Sequence, residues 1–160
     1  MVLLSSKSSW ISPTGTIKSD EEFANTIRKR VAQGCKVYVG TDSMLRGSSC
    51  SFATVIAFHN NDIRIANYHY KRFKIKNSQY IDLKSKITEE VSLAIQAAQF
   101  VNKFCPDVVI EVHVDIGKSN INKTKVLLPM VRGWVSGMGY VLRVKPESWA
   151  SSSIADCHTK

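Results

Sequence analysis

A chain of 160 residues is long enough to bury roughly two-thirds of the surface it would expose unfolded, so it fits one domain that needs no disulfide or metal staple. With 44% hydrophobic residues and no apolar run near the roughly 18 residues of a membrane span, it reads as a soluble globular protein with no membrane partner. The formal net charge of +9, from 22 Lys and Arg against 13 Asp and Glu, favours a polyanionic partner through counterion release, although the same excess also serves plain solubility.

The opening MVLLSSKSSW places its lysine after the apolar residues, which is the wrong order for a secretory signal. Residues 1–18 are expected to be irregular, with Trp10 and Ile11 tucked onto the domain as an anchor. Cys35, Cys50, Cys105 and Cys157 are scattered, without a C-x-x-C pair or a histidine at zinc-finger spacing, and point to a reducing, cytoplasmic home. A leading helix is predicted over 19–34, capped at Ser19 or Asp20, with Phe23, Ile27 and Val31 as its stripe and Gly34 as its stop.

The run KVYVGTDSM, Lys36 to Met44, is a β-branched and aromatic strand that ends in Asp42. Alternation puts Val37, Val39 and Thr41 on one face and Tyr38, Gly40 and Asp42 on the other. Taken alone, Asp42 and Ser43 also suit the start of a turn, because both side chains bond their own backbone there. A loop, LRGSSC, should follow, then a hairpin of SFATVIAFH (Ser51 to His59) and IRIANYHYKRF (Ile63 to Phe73) around Asn60-Asn61-Asp62. Arg64, Lys71, Arg72, Lys74 and Lys76 crowd that third strand and its exit, with Tyr68, Tyr70 and Phe73 interleaved, and form the candidate phosphate-tracking surface.

From Asp82 to about Lys103 the period becomes helical, with Ile87, Val91, Ala94, Ala98 and Val101 on one side. On this wheel Glu90 flanks the buried stripe and Glu89 points to solvent. DVVIEVHVDIG then alternates as a second strand ending in an aspartate, Asp115, with His113 on the same face as a packed or supporting residue. The GKS at Gly117 to Ser119 is no phosphate loop, because the glycine required five residues upstream is Val112. A helix is predicted over Thr124 to Gly137, a fifth strand over Tyr140 to Val144, and a last helix from about Ser148 to His158. In that helix Ala150, Ile154 and Cys157 face inward, and Asp156 lies one turn before Lys160.

Three strands, a helix, a strand, a helix, a strand and a helix, with acids at Asp42, Glu90, Asp115 and Asp156, form an α/β pattern. It resembles the ribonuclease-H-like fold: a five-stranded mixed sheet, three antiparallel strands then two more, flanked by helices. The runs V-G-T-D-S (Val39 to Ser43), E-V-S-L-A-I-Q-A-A (Glu90 to Ala98) and V-H-V-D (Val112 to Asp115) carry this resemblance. With I-S-P-T-G (Ile11 to Gly15) and K-P-E-S-W-A-S-S-S-I-A-D-C-H-T-K (Lys145 to Lys160), the sequence more narrowly resembles the bacterial YkuK-like family. The resemblance implies that Asp42, Glu90, Asp115 and Asp156 are catalytic and hold Mg2+ or Mn2+ in a two-metal site. Asp42 would bridge, Glu90 and Asp115 would complete one site, and Asp156 would bind the second ion. Hard divalent cations call for oxygen ligands, and two of them about 3.5–4 Å apart activate water against a phosphodiester and stabilise the leaving oxygen. Ser43, His113 and His158 would support the acids, and Lys160 or His158 would steady phosphate or carry a proton.

The leading expectation is therefore a metal-dependent nuclease acting on RNA, DNA or a hybrid. The alternatives are a nucleic-acid-binding module with little or no catalysis, and a protein-interaction domain on the same fold.

Overall fold

The computed structural model describes residue 4 and residues 8–62, 65–76, 82–117 and 123–160, with only the backbone described at 65 and 66. The expected start of the third strand at Ile63 and Arg64, most of the run before Ser8, and Lys118 and Ser119 of the GKS run lie outside the described residues. No described helix is long and apolar enough to cross a membrane.

The segment before the first helix is not irregular throughout, as expected, but holds two short strands, β1 (Trp10–Ile11) and β2 (Ile17–Lys18), paired antiparallel. Trp10 is fully buried against Phe23 and Phe100, and this burial fixes β1 to the sheet. Helix α1 (Asp20–Ala32) opens with a capping box: the Ser19 hydroxyl accepts from the Glu22 amide at 3.2 Å, and Glu22 Oε2 accepts from the Ser19 amide at 2.7 Å. Such a cap is worth about 1 kcal/mol.

Strand β3 (Lys36–Arg46) turns directly into β4 (Ser49–Asn60), with Arg46 opposite Ser49. The expected loop LRGSSC is thus a two-residue hairpin turn, which Gly47 permits at a φ of 57°. Asp42 consequently lies within a strand rather than at its end or in a turn. Strand β5 (Ile65–Lys76) pairs with β4 along its whole length. Helix α2 (Leu83–Phe104), capped by Asp82, leads to β6 (Ile110–His113); a short 3-10 turn (Lys125–Leu127) runs into α3 (Leu128–Gly137), followed by β7 (Val141–Arg143). The last helix is a π-helical turn, Ala150–Ala155, continued by α4 (Asp156–Thr159).

The sheet has seven strands in the order β2-β1-β5-β4-β3-β6-β7, not five, because β1 and β2 extend it at one edge. Strands β3, β4 and β5 form the expected antiparallel meander, and β6 and β7 join β3 in parallel. The main core lies between α1, α2 and α3 and the face carrying Val37, Val39, Phe52, Ile56, Phe58, Ile110 and Val112. A second, smaller core lies on the opposite face, where Tyr38, Val55 and Ala57 pack beneath Ala150 and Ala155.

Two expectations about side chains fail, each through packing that a helical wheel does not display. Glu89 is buried, not turned to solvent, because α2 contacts α1 and α3 as well as the sheet. Cys157 is exposed rather than inward-facing, because the π-helical turn shifts the register of the stripe that Ala150 begins.

Candidate functional site

Strands β3 and β6 pair from Val37 and Ile110 to Gly40 and His113, and there the parallel pairing ends. Continuing that register by two residues sets Asp115 beside Asp42, with both side chains on the face that carries Tyr38 and His113. The place where β6 parts from β3 is a natural site in an open α/β sheet.

The chain reaches this face a second time through its last turn. A Cβ at Gly40 would stand 2.6 Å from the Ser151 amide nitrogen and 2.8 Å from the Ala150 carbonyl carbon, so the absence of a side chain at 40 lets the π-helical turn lie on the strand. His113 seats the same turn: its Nδ1 accepts from the Ala150 amide at 3.0 Å, and Tyr38 and Trp149 pack around the ring. Burial pushes the imidazole down to about 4, so it is neutral. Its Nε2, which makes no hydrogen bond, stands in polar contact with Glu111 at 3.8 Å rather than in an ion pair. His113 therefore positions the turn that precedes Asp156.

At the end of that turn Thr159 Oγ1 donates to Asp42 Oδ2 at 3.1 Å, and Lys160 Nζ donates to Asp156 Oδ2 at 2.7 Å. Asp42 is half-buried. Burial first, then the negative charges of Asp156 and Asp115, push its carboxyl up to about 6, against the Thr159 hydroxyl and the Ser43 amide, which lower it. From the other face of the strand, Ser43 Oγ donates to Glu90 Oε1 at 2.5 Å. Glu90 is buried, and burial, with Asp42 and Asp115 adding, pushes its carboxyl up to about 8, while Ser43 and Lys86 oppose the shift. The expected acids are thus brought into one electrostatic neighbourhood, with two of them held back from ionising.

Coordination geometry is a different matter, because three of the acids already have local partners. Lys145 Nζ stands 2.9 Å from Asp115 Oδ1, outside hydrogen-bond angles, Lys160 holds Asp156, and Ser43 holds Glu90. Among the described residues no three His, Cys, Asp or Glu side chains are gathered so as to hold one ion. The donor set nevertheless suits a hard divalent cation: it is all carboxylate oxygen, and Asp42 and Glu90 are short of positive charge.

These shifts set a pH dependence for Glu90→Gln. A carboxyl with its folded pKa raised costs stability as pH climbs from about 4.5 to about 8, and the full cost persists above that. Urea unfolding in chelator should show Glu90→Gln more stable than the parent by about 2–4 kcal/mol at pH 9 and equal to it near pH 4. A gain that does not vary with pH would refute the buried-charge account.

The expected basic surface divides by strand parity. Arg72, Lys74 and Lys76 are exposed on the Asp42 face, and the register runs from Asp42 through Ala53 to Arg72. Arg72 also donates to the Lys160 carbonyl at 3.0 Å. Lys71 departs from expectation: it faces the main core, 2% exposed, with Nζ on Asp20 Oδ1 at 2.9 Å, on the Leu4 carbonyl at 3.1 Å and over the Trp10 ring. One step along a strand reverses the face, so Lys71 is a packing residue on the face opposite Asp42. His158 stacks on Tyr70 at 3.6 Å, and its Nε2 lies 3.2 Å from the Tyr68 hydroxyl, so in this structure it supports the tyrosines.

Three contributors to the site escaped sequence reasoning: Gly40, Thr159 and Lys145. Gly40 carried the one available signal, a glycine inside a strand run, which marks close approach of another backbone.

Comparison with known proteins agrees with this layout. The model of the family described as Ribonuclease H-like matches residues 20–160. A stretch of 54 residues is 39% identical to the uncharacterized protein YkuK of Bacillus subtilis (strain 168), spanning 34% of this chain and 30% of that protein. Mixed sheet, helix order and family match concur: the chain belongs to the ribonuclease H-like family.

Proposed function

We propose that the chain is a divalent-metal-dependent phosphodiesterase of the ribonuclease-H type, acting on nucleic acid across the Asp42 face of the sheet. The observation that carries this reading is that burial, with the charges of neighbouring acids added, holds Asp42 and Glu90 back from ionising where β3 and β6 part. Asp42 would bridge two Mg2+ or Mn2+ ions, Glu90 and Asp115 would complete one position, and Asp156 would hold the other. Bound there, the ions would supply a nucleophilic water and stabilise the leaving oxygen. The chain's own part is to hold the carboxylates in place, through Thr159 on Asp42 and Ser43 on Glu90, and to release Asp115 and Asp156 from Lys145 and Lys160. The freed ammonium groups would then lie close to phosphate. Arg72, Lys74 and Lys76 would track the backbone beside the acids.

A second reading, a nucleic-acid-binding module with little or no catalysis, draws on the same lysines, because a site whose acids are already paired has less need of a cation. Calorimetric titration of Mg2+ and Mn2+ into the native protein and Asp42→Asn separates the two. The proposal expects binding to the native protein and its loss in the variant. No binding of either ion to the native protein would favour the module.

The basic face makes its own prediction. Replacing Arg72 or Lys74 by Ala should reduce the slope of log affinity against log salt by roughly 0.7–0.9 for each phosphate that the side chain no longer neutralises. Lys71→Met should leave that slope unchanged. If Lys71 instead carried the largest effect in salt-dependent binding, the assignment of faces would be wrong.

A further inference from the structure

The Asp42 face carries a second feature that the acid site does not use. At the amino end of β3, between the β4–β5 strands and the π-helical turn, lies a pocket of about 530 Å³ lined by Tyr38, Ala57, His59, Tyr68, Trp149 and Ile154. Its walls are aromatic and aliphatic, and the Tyr38 and Trp149 rings brace each other at 4.7 Å, tilted by 56°. Such walls offer flat stacking surface, with hydroxyl, imidazole and indole groups available at their edges.

The pocket shares its face with the acids and the cations. Alternate residues of β5 on this face read Tyr68, Tyr70, Arg72, Lys74, Lys76: aromatic where the pocket lies and basic beside and beyond Asp42. Tyr38 precedes Asp42 by four strand residues, about 13 Å at roughly 3.3 Å each. The π-helical turn rests on Gly40 between these two positions, so a strand that reaches both passes around the turn; at about 3.4 Å per nucleotide the direct span alone is about four nucleotides. Aromatic platforms flanking a cationic track are the means by which proteins hold unpaired bases.

We infer that the Tyr38–Tyr68–Trp149 pocket takes one unpaired base of the strand whose backbone crosses the acids, so that the substrate is single-stranded or carries an unstacked base. Bases paired in a duplex do not present a free ring face to such a pocket. The inference rests on the proposed nucleic-acid function and names the substrate class of that site.

The test measures binding by fluorescence anisotropy in chelator, with a short labelled oligonucleotide of mixed sequence and the blunt duplex formed from it. It compares the native protein with Ile154→Trp, which fills the pocket, and Tyr68→Leu, which removes a ring. Melting curves show which variants fold. The single strand should bind at least about tenfold tighter than the duplex, and each folded variant should lose about 5- to 100-fold on the single strand but under about twofold on the duplex. Equal binding of single strand and duplex overturns the inference, as do folded variants that hold the single strand like the native protein. A free mononucleotide that displaces the oligonucleotide at equal nucleotide concentration would assign the pocket to a small ligand and overturn it too. Because no metal or cleavage enters the measurement, the pocket can fail while Asp42-dependent cleavage stands, and the reverse.

Discussion

Asp42→Asn should abolish Mg2+- or Mn2+-dependent phosphodiester cleavage, by at least about 10³-fold, while the metal-free protein becomes more stable. The rate follows from the bridging role proposed for Asp42: loss of several kcal/mol of charge stabilisation at about 1.4 kcal/mol per decade costs three decades or more. The stability follows from the carboxyl's own environment. Its pKa is raised to about 6, so the ionised form opposes folding increasingly between about pH 4 and 6 and fully above that. The neutral amide lacks this cost and still offers Thr159 an acceptor. For a half-buried group the gain is discounted to about 1 kcal/mol at pH 8, measured by urea unfolding in chelator, and it should vanish near pH 4. Opposite movement of activity and stability distinguishes this outcome from simple unfolding. Cleavage that survives in the variant would overturn the proposed role.

Gly40→Ala should be strongly damaging for so small a substitution. The added methyl meets the backbone of Ala150 and Ser151 at 2.6–2.8 Å, and backbone does not turn aside as a side-chain tip can. Either β3 or the π-helical turn must move, at a cost of about 2–3 kcal/mol, which for a chain of this size lowers the melting temperature by roughly 4–12 °C. A shift of the turn also carries Thr159 and Asp156 away from Asp42, so activity should fall more than the stability loss explains, with every acid intact. Addition of Mg2+ would then stabilise Gly40→Ala less than it stabilises the native protein. An unchanged melting temperature together with unchanged activity would show that the turn does not rest on the strand.

These two substitutions differ in how far the sequence foretold them. Asp42 was a candidate from its strand run and its companions Glu90, Asp115 and Asp156, and order along the chain was enough to group them. Gly40 and Thr159 were invisible as partners, because each matters only through a segment more than a hundred residues away.

Periodicity determined much of this protein by itself. Alternation in Lys36 to Met44 and, within the Val108 to Asp115 run, in Ile110 to His113 assigned faces that the register upholds, and the helical stripe from Ile87 to Val101 is buried as its spacing requires. Local chemistry also sufficed for the Ser19 capping box, whose partners lie three residues apart. Tertiary structure alone decided the rest. A two-residue strand such as Trp10–Ile11 has too few residues to show a period and exists because Trp10 finds a buried seat beside Phe23. Parity within β5 sent Lys71 to the core and its neighbour Arg72 to the working face, a distinction that a charge cluster in sequence does not display. Lys160 one turn after Asp156 was legible as a helical pair, but Lys145 meets Asp115 only through the tertiary path of the chain, so whether four carboxylates stand as a metal cage or as paired acids depends on distances that residue order does not encode.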